Sequence, residues 1–159
     1  MAQPSRILTR RGALAFIAAG LIVPALSAAA QAPTIIVHKD PNCGCCGGWV
    51  QHLKEAGFAV TVEETAVLRA IRKRLGVPAD LAACHTAEIA GYIIEGHVPA
   101  PAIRQLLEKR PVAVGLAVPG MPVGSPGMEG GAPQKYDVIL FGATGRETFM
   151  QFIGSQAVS

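Results

Sequence analysis

Aromatic residues make up only 5% of this 159-residue chain, and no basic stripe accompanies them. Without an aromatic ladder or a run of cations, base stacking and phosphate tracking have no support, so a nucleic-acid partner is excluded. An excess of one charge is missing too. The chain is formally +3, but Arg6, Arg10 and Arg11 lie in the first thirty residues, leaving 11 Lys and Arg against 11 Asp and Glu. The basic pI therefore identifies no anionic partner. There is no long internal repeat, and beyond the N-terminal segment no apolar run reaches the ~20 residues of a membrane span.

The N-terminal segment reads as an export signal. A basic start is followed by an apolar run from Ala13 to Leu26, then by small residues offering Ala-x-Ala cleavage sites. The run is short for a span and is interrupted by Pro24. The alternative is an uncleaved N-terminal anchor. "TRRGAL" around Arg10 and Arg11 fits a twin-arginine signal loosely, and Sec export is equally compatible. Cleavage is expected after Ala30 rather than Ala32, which Pro33 follows, giving a 1–30 leader and a protein released into the periplasm without a membrane span. The remainder suits one domain.

Along that remainder "TIIVH" (34–38) reads as a strand and is followed by "PNCGCCGGW" (41–49). Cys46, Trp49, Val50 and Leu53 recur at helical spacing up to Gly57, and 58–62 alternates as a second strand. Thr65 can cap a helix that buries Val67, Leu68, Ile71 and Leu75, with Arg72, Lys73 and Arg74 on its solvated side. The order strand, cysteines, helix, strand, helix is that of a thioredoxin-like α/β domain. Next come a strand over 88–96, a helix from Ala100 to about Arg110 with Ile103, Leu106 and Leu107 inward, and a strand over 112–118. Residues 119–134 are too rich in Pro and Gly for regular structure. Two late strands flank "ATG" as a hairpin, and the last residues are expected to fray.

Cys43 and Cys46 have the spacing of a redox dithiol at a strand-to-helix junction, where a helix N-terminus favours thiolate. Cys45 is surplus to that pair. Three thiolates on one tight loop repel one another unless cations balance them. Cys45 and Cys46 also diverge, so bridging sulfurs shared among several soft ions fit better than one tetrahedral ion. Thiolate and thioether donors select Cu(I), with zinc and iron–sulfur as competitors; a disulfide with one leftover thiol is the bland alternative. Further candidate ligands are Cys84 and His85 in "CHT", His97 in "GHVP", and Met121 and Met128, each in a "PGM" of the irregular loop. His38 and His52 are weaker candidates, and Met150 alternates like a packing residue.

Together "CGCCGGW", "CHTAEIAGYIIEGHVPA" and "GLAVPGMPVGSPGME" resemble the domain of unknown function 411 (DUF411) family, exported copper-resistance proteins of CopG type. The resemblance runs from about Ile35 to Phe152, with no motif element missing. It implies a thioredoxin-like domain, here 33–153, whose Pro/Gly/Met-rich C-terminal extension (111–153) helps bind metal. It implies copper bridged by Cys43, Cys45 and Cys46, with Cys84, His85, His97, Met121 and Met128 as accessory groups, and interconversion of Cu(I) and Cu(II) in copper detoxification. That activity would make the chain a copper oxidoreductase, served by copper-efflux or redox partner proteins. The alternatives are a thiol–disulfide oxidoreductase using Cys43 and Cys46, and a structural zinc module.

Overall fold

A computed structural model describes residues 33–158; the expected leader over 1–30 lies outside them. The strands are β1 (Ile35–Lys39), β2 (Val60–Glu64), β3 (His85–Ile89), β4 (Tyr92–Glu95), β5 (Gly115–Ala117), β6 (Lys135–Gly142), β7 (Gly145–Ile153) and β8 (Gln156–Val158). The helices are α1 (Gly44–Glu55), α2 (Leu68–Leu75) and α3 (Ala100–Lys109), with a 3-10 turn at Ala79–Leu81. All eight strands form one sheet in the order β2-β1-β3-β4-β5-β6-β7-β8.

The β1–β2 and β4–β5 pairs are parallel and the rest antiparallel. Parallel neighbours need a crossover; α1 supplies the first and α3 the second. Side chains on a strand alternate between faces. On one face Val37, Ala87, Ile94 and Leu116 pack with Trp49, Val50 and Leu53 of α1 and Ile103 and Leu106 of α3. On the other, Ile93, Ala117 and Phe141 form a smaller cluster with Val77, Leu81 and Leu75. Burying a side chain of Leu or Trp size stabilises by roughly 1.5–3 kcal/mol, so the first cluster dominates.

Three expectations change. The run 88–96 is not one strand: the chain turns at Ala90 and Gly91, whose φ values of 49° and 86° are the positive pair a two-residue hairpin uses. An Ala in place of the usual Asn or Asp hid that turn. No α2 residue is fully buried, and Val67 is 60% exposed, because a single small cluster covers only part of that helix. The C-terminus does not fray over 156–158, since β8 pairs with β7.

Candidate metal centre

The cysteine loop is shaped by the turn between β1 and α1. Asp40 accepts the Asn42 N–H on its side chain at 2.8 Å and the Cys43 N–H on its carbonyl at 3.1 Å. This turn places Cys43 at the helix N-cap, with no side-chain cap of its own. Three glycines among the first five residues of α1 are poor helix formers. The helix is held instead by Trp49, Val50 and Leu53, and by the Trp49 indole N–H donating to the Val98 carbonyl at 2.8 Å. That bond brings "GGW" and "GHVP" together.

Cys43 and Cys46 are joined as a disulfide, the pairing their C-x-x-C spacing permits, while Cys45 and Cys84 are free. Cys45 Sγ lies 3.6 Å from Cys43 Sγ and 3.7 Å from Cys84 Sγ. Cys84 Sγ is in turn 3.0 Å from His97 Nε2 and 3.5 Å from His85 Nδ1. Donor atoms of Cys43, Cys45, Cys46 and Cys84 lie within 4.8 Å of one another, as do those of Cys84, His85 and His97. Cys84 belongs to both groups.

The two imidazoles are differently set. His97 Nδ1 is 2.8 Å from the Pro126 carbonyl, which can only accept, so Nδ1 carries the proton and Nε2 turns its lone pair to Cys84. Burial lowers the His97 pKa, partly opposed by that bond and by Glu129. His85 is fully buried beneath Trp49, ring centroids 4.2 Å apart. Burial first, and His97 second, push its pKa down to about 3, so it stays neutral. Burial, with Cys45 next, pushes the Cys84 thiol up to about 12.

The Pro-Gly loop closes one side of the site. Gly127, at φ 86°, sits so near α1 that a Cβ would lie 2.6 Å from the Cys45 carbonyl oxygen and 2.6 Å from the Trp49 nitrogen. A Cβ on Gly48 would lie 2.8 Å from the Gly127 Cα. Only paired glycines allow this approach. Met128 follows directly, half-buried, its N–H donating to the Ser125 carbonyl at 2.7 Å. Met121 is 54% exposed on the same loop. Thus the four cysteines and two of the histidines, six of the eight expected ligands, converge.

His38 and His52 have other partners. His38 lies between Glu63 and Glu88, at 3.2 and 3.0 Å, and His52 Nε2 accepts the Ala100 N–H at 3.1 Å. Sequence reasoning missed Glu95 and placed Arg72 in solvent. Glu95 is fully buried and meets Arg72 Nε at 2.8 Å; burial pushes its carboxyl up against the pull of the Ala83 N–H and Arg72. The signal was present, as one acid in the otherwise apolar "YIIEG".

The residues fit a soft metal ion. His85 Nε2 is buried without a hydrogen-bond partner, and the surrounding donors are sulfur and neutral imidazole. Among the described residues no helix is long and apolar enough to cross a membrane.

Comparison with known proteins identifies the family. The family model described as "Protein of unknown function, DUF411" matches residues 81–128. No curated protein matches the chain. A solved structure of copper resistance protein copG, Form 2, is 46% identical with a TM-score of 0.72, covering 77% of this chain and 99% of that one. Form 1 is 45% identical with a TM-score of 0.73, covering 78% and 100%. At that identity, over essentially the whole length of both solved chains, this chain belongs to the DUF411 family of copper-resistance proteins.

Proposed function

We propose that the chain is a periplasmic copper-binding protein of copper resistance, exported by its 1–30 leader. Copper would be held on the sulfurs of Cys43, Cys45, Cys46 and Cys84, with His85 and His97 completing the site. The observation that carries this reading is the shared position of Cys84, which joins a thiol group to an imidazole group around one half-buried sulfur. Such a mixed set can serve both oxidation states, and bound copper would supply a one-electron couple interconverting Cu(I) and Cu(II). Met121 and Met128 would offer thioethers from the loop, to incoming copper or to an efflux or redox partner.

The frame is read as thioredoxin-like over 33–153, with 111–153 as the metal-binding extension. Support comes from the strand order β2-β1-β3-β4, the parallel β1–β2 crossover through α1, and α3 on the same face as α1. The disulfide at the start of α1 favours a second reading, thiol–disulfide exchange through Cys43 and Cys46.

Anaerobic Cu(I) titration of the reduced chain against a competing chelator separates the two. Copper binding that falls sharply on Cys45→Ser or Cys84→Ser supports the copper reading. Unchanged copper per chain in both variants, with disulfide exchange lost on Cys43→Ser, would replace it.

A further inference from the structure

Ala83 and Cys84 lie between the 3-10 turn and β3, where no strand ladder fixes the backbone. One ion pair holds both polar groups of Ala83 instead. The Ala83 N–H donates to Glu95 Oε1 at 2.7 Å, and Arg72 Nη2 donates to the Ala83 carbonyl at 2.6 Å. Arg72 Nε also donates to the same carboxylate oxygen at 2.8 Å. The Glu95 side chain is 0% exposed and that of Arg72 14%. From a third side Gly96, at φ 71°, comes so close that a Cβ there would lie 2.7 Å from the Ala83 Cβ and 2.6 Å from the Val118 oxygen.

Fold stability is a poor reason for such a pair. Desolvating a buried ion pair offsets most of its attraction, and apolar residues of similar volume often replace one without loss. A backbone N–H and C=O both left unpaired are a different matter, and Ala83 would have both. Cys84 is the next residue, and its sulfur is common to both donor groups. A shift of Cys84 therefore alters its distance to Cys45 and to His97 together.

We propose that Arg72 and Glu95 are positioning residues that clamp the Ala83 peptide groups and so fix the Cys84 sulfur between the thiol and imidazole groups. The clamp deepens the copper reading and rests on it for its purpose, but its geometry is testable without metal. With Cys43 and Cys46 oxidised, the metal-free full chain has two thiols, Cys45 and Cys84. Iodoacetamide labelling followed by peptide mass spectrometry reads both rates in one sample, with Cys45 as the internal control.

Glu95→Ala and Arg72→Ala are expected to speed Cys84 labelling about tenfold relative to Cys45, because local opening there becomes easier. Glu95→Gln keeps an acceptor for the Ala83 N–H and is expected to fall between, as is Arg72→Lys, which keeps the charge. These two milder variants decide the matter if the alanine variants do not fold. An unchanged Cys84-to-Cys45 ratio, or equal acceleration of both thiols, overturns the clamp. Cu(I) uptake by the unchanged chain tests the copper reading separately, so the two failures are distinguishable.

Discussion

His97 has its two ring nitrogens committed to different tasks, one to the Pro126 carbonyl and one to Cys84. His97→Ala should therefore weaken copper binding and also leave a buried carbonyl unpaired, at a cost of about 1–3 kcal/mol. A chelator competition and a thermal melt read the two effects independently. Tyr136 offers a pH test away from the centre. It is 8% exposed, its hydroxyl donates to the Gly154 carbonyl at 2.6 Å, and burial raises its pKa above the ordinary 10.0. A raised folded-state value means its contribution is complete below pH ~10 and is lost as pH climbs through that value. Tyr136→Phe should lower the melting temperature slightly at neutral pH and flatten its decline above pH ~10. At this scale the six converging Cys and His side chains were legible because such residues are few and lie in short motifs. The pairing of Glu95 with Arg72 was not, because they stand 23 positions apart and only tertiary packing joins them.

Where the N-terminal turns of α1 meet the SPGM segment, Gly48 and Gly127 approach too closely to tolerate a side chain on either. Gly48→Ala is expected to cost roughly 1–3 kcal/mol by overpacking. A lowered melting temperature with the Cys43–Cys46 pair still able to form would be the result, and an unchanged melt would refute it. Helices α1 and α3 were readable from periodicity, since their apolar spacing is set by one dominant core. The β3–β4 hairpin was not, as Ala90 gives no turn signal between the apolar Ile89 and Tyr92. For α2 the periodic stripe was real, but a stripe records what a helix could bury rather than what the sheet beneath it covers.

The whole domain has a core that owes nothing to metal: its large cluster joins α1, α3 and five or more strands. Chelation should accordingly leave a cooperatively folded protein, whereas a structural zinc module would unfold. Copper at a hundred times its Kd should add about 2.7 kcal/mol and raise the melting temperature, which calorimetry with and without chelator can check. The parallel pairing of Ile93–Glu95 with Gly115–Ala117 continues one sheet from the cysteine half into the C-terminal half. In terms of truncation, the chain beyond Val118 is no removable tail. Cutting after Val118 would strip β5 of β6 and bare a short edge beside Ile93 and Leu116, inviting edge-to-edge aggregation. Size-exclusion chromatography of such a fragment should show soluble aggregates rather than a monomer.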